Sequence, residues 1–227
     1  AARSAADEVF WQAANLRAND AAAALQALAK LPPGDAGPTE AEVRMRLSAL
    51  DVCEDLDPCG VANALWALGR RDADDAVALL GLLERRLRVL AGQCNAQDIA
   101  NALWACAKLR WTPRASTWAA VAERSATVAG SMKAQELSIA LWSIASLGLE
   151  PPPPVWQSLQ DAVLAGVWWF QAQSVANSLW ALGKLASGDT PVPVRSELTE
   201  ALLWQAVECK ASFGAQGAAN ALWGLAQ

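Results

Sequence analysis

One ten-residue pattern recurs along the chain, and a fold must repeat wherever its sequence does. Segments 61–70, 99–108, 137–146, 175–184 and 218–227 are variants of a single Ala-Asn-x-Leu-Trp-Ala-Leu core. A sixth copy, 21–30, carries Gln26 in place of the tryptophan. The marker column, Gln26, Trp66, Trp104, Trp142, Trp180 and Trp223, advances by 40, 38, 38, 38 and 43 residues. A period near 38 residues belongs to helical-pair repeats that stack on their neighbours.

Each copy has the apolar spacing of an amphipathic helix, and no stretch alternates with the period of two that a strand requires. The segments between copies supply a second helix. Two of them, from Thr112-Pro113 to Gly130 and from Pro151 to Gly166, open at proline and end near glycine, which suits a helix start and stop. The expected fold is all-α: a solenoid of tandem antiparallel helix pairs coiled as a right-handed superhelix. It forms a single helical-repeat domain over 1–227, with motif helices near 19–31, 59–71, 97–109, 135–147, 173–185 and 216–227. Asp57, before Pro58, and Asn95 stand where helix N-caps belong.

Composition removes whole classes of chemistry. The 227 residues include no His, which excludes Ser-His-Asp and Cys-His nucleophile systems, His metal ligands and a histidine pH switch. The five cysteines, Cys53, Cys59, Cys94, Cys106 and Cys209, contain no Cys-x-x-Cys pair, so a zinc site is not expected and reduced thiols are. No phosphate-cradling glycine motif or repeated carboxylate pair appears. The reading is therefore no enzyme, no cofactor, no catalytic or metal residues and no small-molecule substrate. Apolar runs are too short to insert in a membrane. The opening Ala1-Ala2-Arg3-Ser4 lacks a Met and a signal-like block, and the last copy breaks off at Gln227; both features read as a trimmed chain cut inside a repeat, with any targeting peptide out of view.

The core and its period resemble the octotricopeptide repeat family of algae and related protists, as does the proline-rich stretch ending in Trp156. The resemblance covers nearly the whole chain. Its departures are Gln26 for Trp in the first copy, Ile139 for Asn in the fourth, and the interval stretched near Ser187-Gly188-Asp189. It implies a protein resident in an organelle, chloroplast or mitochondrion, that binds organellar mRNA or rRNA and acts in RNA processing, stability or translation. Some such repeats are structural parts of organellar ribosomes, which leaves a scaffold holding protein subunits of a large complex as the alternative.

On a helix turning about 100° per residue, Ile99, Leu103 and Cys106 share one side and face the partner helix. Opposite them lies a stripe of Gln97, Asn101, Trp104 and Lys108. The same columns hold Gln135, Gln173 and Gln216; Asn63, Asn177 and Asn220; Trp66, Trp142, Trp180 and Trp223; and Lys30, Arg70 and Lys184. Small residues flank the stripe, Ala62 and Gly69, Ala100 and Ala107, Ala176 and Gly183, Ala219 and Ala226, and they allow motif helices to lie side by side. The stripe has two readings. In one, amides read base edges, indoles stack on bases and the cations meet phosphate, as in modular readers of single-stranded RNA. In the other, each Trp fills the groove to the next repeat and each amide bonds across the same joint; the Trp column favours this one, because a position repeated unchanged encodes no sequence. Variable positions beside the Gln column, Asp20, Gly60, Asp98, Glu136, Ser174 and Gly217, are the candidates for a base code, their acidic members being otherwise suited to the helix dipole.

Net charge is −5, which opposes nucleic-acid binding unless charge is segregated. Asp72, Asp74 and Asp75 are expected in turns, Glu84 on an outer helix, and Arg85-Arg86-Leu87-Arg88 on a solvated helix face. A second column, Trp118 and Trp156 with Leu80 and Val194, reads as core filling. Trp11, Trp111, Trp168, Trp169 and Trp204 follow no column. Trp168 and Trp169 with Phe170 read as packing between repeats, with a partner patch or a base-stacking platform as the alternatives.

Overall fold

The computed structural model describes residues 15–32, 37–73, 75–188 and 190–227. Ala1 to Ser4, Trp11, Asp74 and Asp189 lie outside the described residues. Twelve α-helices joined by turns, four of them single 3-10 turns, make up the described residues, with no strand among them. None of these helices is long and apolar enough to cross a membrane.

The chain divides into two compact units between Ala120 and Val121. In the first, the motif helices α1 (Ala18–Leu28), α4 (Pro58–Arg70) and α6 (Ala96–Lys108) lie side by side, and α2 (Gly37–Leu47), α3 (Leu50–Glu54) and α5 (Val77–Leu90) cover one face of them. Helix α7 (Ala115–Val128) spans the division. In the second unit α8 (Ala134–Ser146), α10 (Ala172–Ala186) and α12 (Ala215–Leu225) are the motif layer, against α9 (Pro153–Gly166) and α11 (Ser196–Glu208). The helix expected between the first two motif copies is broken in two. The Ser48 hydroxyl bonds back to the Arg44 carbonyl at 2.8 Å and ends α2 before α3 begins.

Helix starts follow their local chemistry. The Asp57 carboxylate accepts the Gly60 N–H at 2.7 Å with Pro58 in the first turn. Asn95 and Asp98 exchange reciprocal bonds at 2.9 Å, a capping box that opens α6. The 43-residue interval arises because α10 runs 15 residues where α8 runs 13, and because the connection that follows it, 187–195, is longer than the one at 147–152. The Val192 N–H bonds the Leu185 carbonyl at 3.0 Å and folds that connection back on α10.

The flank glycines decide how closely motif helices approach. A Cβ on Gly183 would collide with the backbone of Gly224, and one on Gly224 with the backbone of Leu179 and Trp180. In the first unit a Cβ on Gly69 would stand 3.0 Å from the Ala105 backbone and 3.1 Å from the Trp104 ring. The apolar columns Val61, Leu65 and Leu68 in α4, and Leu137, Leu141 and Ile144 in α8, are buried.

The second layer is pinned by a recurring polar device. Glu84, 3% exposed, accepts the Arg114 N–H at 2.7 Å and the Trp111 indole N–H at 3.2 Å. Seven residues into α9, at the same register, Gln160 accepts the Arg195 N–H at 2.9 Å. The register position in α7 is Ala122, and the residue it would serve is Pro152, which has no N–H to offer. A second device holds the residue two before a motif helix, next to its N-cap: Arg46 Nε donates to the Leu16 carbonyl at 3.0 Å, Arg86 Nε to that of Leu56 at 2.8 Å, and Gln205 Nε2 to that of Phe170 at 2.8 Å.

These contacts correct three expectations. Glu84 sits on the outer layer as expected but is a buried acceptor, and Arg86 leaves the solvated face of its cluster to brace Leu56. The register equivalent of Trp118 and Trp156 in α11 is Thr199 and not Val194, since the longer connection displaces Val194 to before the helix. Trp168 and Trp169 are exposed, while Phe170 alone is buried.

Replacing Gly183 with Val should lower the unfolding free energy by about 1–3 kcal/mol, since the neighbouring backbone must move. Gly92→Ala, which meets open space, should leave it nearly unchanged. Thermal and urea denaturation of the two variants checks this.

Candidate nucleic-acid interface

The motif helices α4, α6, α8 and α10, packed over most of their circumference, leave one edge for solvent, and that edge is the stripe; α1 and α12 are open on further faces. Gln97, Gln135, Gln173 and Gln216 are exposed; Asn63, Asn101, Asn177 and Asn220 are half-buried; and Arg70, Lys108 and Lys184 are exposed at the helix ends. Trp66, Trp104, Trp142 and Trp180 are half-buried and Trp223 is exposed. Ile139 takes the Asn position of the fourth copy and Ser146 its cation position.

Neighbouring edges meet through the stripe itself. Gln26 Nε2 donates to Asn63 Oδ1 at 2.7 Å, so the residue replacing the first Trp joins its repeat to the next by a hydrogen bond between amides. The Trp66 and Trp104 rings stack with centroids 6.0 Å apart and planes at 27°, and Trp180 and Trp223 lie 5.9 Å apart at 32°. Such pairs contribute about 0.5–1.5 kcal/mol beyond their buried area. Asn19 in α1 trades bonds with Asp57, its Nδ2 donating at 2.9 Å and its Oδ1 accepting at 3.1 Å from the Asp57 N–H. With Arg71 Nη2 donating to the Leu28 carbonyl at 2.6 Å, contacts at the start, middle and end show that α1 and α4 run in the same direction.

The cations stand at helix C-termini, where the backbone dipole favours positive charge. The Arg70 guanidinium carbon lies 5.9 Å from the Trp66 ring centroid, a cation over an indole face. Lys108 Nζ is 4.0 Å from Asp72 Oδ1, both groups well exposed, which screens the attraction. The stripe therefore sets amides at one end, aromatic edges in the middle and ammonium or guanidinium groups at the other, a series of groups able to meet bases and then a sugar-phosphate chain.

Of the variable positions, Gly60, Asp98 and Ser174 are buried, Glu136 and Gly217 half-buried and Asp20 exposed. Asp98 is buried in its capping box, where burial pushes its carboxyl above the usual range while the Asn95 N–H pulls it back. Ser174 is buried, Glu136 Oε2 accepts the Lys133 N–H at 2.8 Å, and Asn19 Oδ1 occupies the space a side chain on Gly60 would need. Asp98, Glu136, Ser174 and Gly60 thus serve helix ends and joints; for the two acidic residues this is the helix-start role, and for Ser174 and Gly60 it corrects the base-reading expectation. Asn19 and Cys59, both exposed, are the stripe members that sequence reasoning passed over. Each falls seven residues before the marker column, which was the available signal.

Comparison with protein-family models finds no model that matches the chain, and comparison with curated proteins finds no relative.

Two measurements follow from this geometry. Asn63→Ala leaves the Gln26 amide unpaired and should cost about 1 kcal/mol of stability, whereas Asn63→Asp, which keeps the acceptor, should retain most of it. Burial pushes Cys53 up to about 11 and Cys106 up to about 12 from 9.0; Cys59, exposed, is also raised, by partial desolvation and by the nearby Asp98 and Asp57 carboxylates. Iodoacetamide should label Cys59 faster as pH rises from about 8 to about 10 and spare Cys106 until the chain unfolds. An unfolded Cys106 ionises near 9.0, so the stability gained by keeping it protonated is intact below that pH and lost as pH climbs toward 12.

Proposed function

We propose that this protein is a helical-repeat binding module, an α-solenoid of helix pairs with a period of about 38 residues whose motif-helix edge holds single-stranded or ribosomal RNA. The observation that carries the reading is the stripe. On α4, α6, α8 and α10 of this acidic chain the columns that reach solvent are chiefly amides, indoles and the cations Arg70, Lys108 and Lys184, with the carboxylates of Asp98 and Glu136 turned to helix caps; Lys30 follows α1, where Asp20 is also exposed. That segregation lets a chain of net charge −5 present a cationic rim to phosphate.

The resemblance to octotricopeptide repeats supports an organellar setting for this activity, in RNA processing, stability or translation. The stacked Trp columns are better suited to hold repeats together than to read sequence, since Trp66 and Trp104 spend their faces on each other. Recognition then rests on Gln97, Gln135, Gln173, Gln216, Asn101, Asn177 and Asn220. Binding without catalysis fits a chain with no His and with Glu84 and Asp98 committed to structure. A scaffold subunit of a ribosome or other large complex is the second reading, supported by the exposed indoles of Trp168, Trp169 and Trp204.

Anisotropy of a labelled single-stranded RNA pool tests the proposal. Binding at low salt should weaken as salt rises, and changing Lys30, Arg70, Lys108 and Lys184 to Gln should flatten the log-log slope by about 0.7 for each phosphate that is no longer neutralised. Absence of binding, or binding indifferent to salt, overturns it.

A further inference from the structure

The repeats supply their own control for what the fold requires at each position. The 3-10 turn before a motif helix reads Ala91–Gln93, Ala129–Ser131 and Lys210–Ser212 in three cases, and its last two residues are small or polar there: Gly92 and Gln93, Gly130 and Ser131, Ala211 and Ser212. In the fourth case, Val167–Trp169, they are Trp168 and Trp169, 63% and 80% exposed. Eight residues beyond the first residue, three outer helices carry an exposed charge, Arg85 in α5, Glu123 in α7 and Asp161 in α9, and α2 carries the exposed Met45. In α11 the same position is Trp204, 66% exposed. Three indoles thus occupy positions that other repeats give to solvent, so their packing value to the fold is small.

The elements that carry them are packed together. Helix α11 packs on the Val167–Trp169 turn, and Gln205, the neighbour of Trp204, donates to the Phe170 carbonyl at 2.8 Å and lies 3.5 Å from that of Trp168. Val167 and Phe170, each 1% exposed, anchor the turn on either side, so the two indoles stand on a fixed backbone. Around Trp204 the helix places Glu197, Glu200 and Glu208 within roughly 40° of its direction, all exposed, and Val207 extends the apolar area. No Lys or Arg shares that arc of α11.

We propose that this indole cluster is a docking surface for a basic segment of a partner protein, one presenting Arg or Lys beside apolar side chains. Indole faces attract guanidinium and ammonium groups, and three glutamates beside them supply counter-charge. The same glutamates repel a phosphodiester chain and an anionic lipid surface. The surface lies on the outer layer of its unit, and the proposal stands apart from RNA binding at the stripe.

The test is fluorescence anisotropy with a labelled synthetic peptide that carries arginines on one helical face and leucines on the other. It should bind saturably, and the Trp168→Gly, Trp169→Ser double variant, which restores the residues of another repeat, should bind about tenfold more weakly. Trp204→Gln should act in the same direction. The Glu200→Lys, Glu208→Lys variant keeps every indole and should also lose binding, with its circular dichroism unchanged. A peptide in which glutamates replace the arginines should not bind. Failure of the arginine peptide to bind, equal binding by all variants, or binding of polyuridylate or phosphatidylserine vesicles that disappears with Trp168 and Trp169 overturns the proposal.

Discussion

Direct backbone-to-backbone approach between successive motif helices is the constraint on which the remaining structure depends. Gly183 and Gly224 touch with no room for a Cβ, and Gly69 meets the Ala105 backbone and the Trp104 ring. At that separation the indoles on the next helix face must land on one another, which is why Trp66 stacks on Trp104 and Trp180 lies against Trp223. A bulkier flank would separate the helices and break the stacks, the Gln26–Asn63 bond and the apolar seam together. Small residue, indole and amide are thus one device written in three columns.

The second layer solves a different problem, since its helices vary in sequence yet must keep pace with the motif layer. Polar groups that would be costly if buried alone are used as pins: Glu84 on Arg114 and Trp111, Gln160 on Arg195. Where Pro152 removes the donor, Ala122 removes the acceptor, so no polar atom is stranded. Arg46, Arg86 and Gln205 fasten the segment entering each motif helix. This bracing fixes where each stripe begins, and so the alignment of any groups a ligand would meet.

The stripe was legible because a helix has a fixed angular step: Gln97, Asn101, Trp104 and Lys108 had to share an edge once the segment was helical. The kind of contact it makes across the joint was one of its two readings, but the particular partners were not legible. That Gln26 pairs with Asn63, or that Arg70 covers Trp66, depends on the distance between helices, which periodicity does not contain. The burial of the variable positions Asp98 and Ser174 was not legible for a related reason. They lie one step from the exposed Gln column, and the neighbouring repeat covers that step. Trp168 and Trp169 read as packing residues and Trp204 followed no column; only accessibility showed all three standing in solvent.

By itself, then, the sequence determined the all-α character, the helix boundaries to within two or three residues, the small-residue flanks and the identity of the solvent edge. All of these follow from period, capping chemistry and side-chain size, which act over a few residues. Tertiary structure alone decided which carboxylates are buried acceptors, how Arg86 and Gln205 brace the chain, and which indoles pair and which stay free. These depend on contacts between residues about 30 to 40 positions apart, and a contact across that distance exists only after the helices have closed on one another.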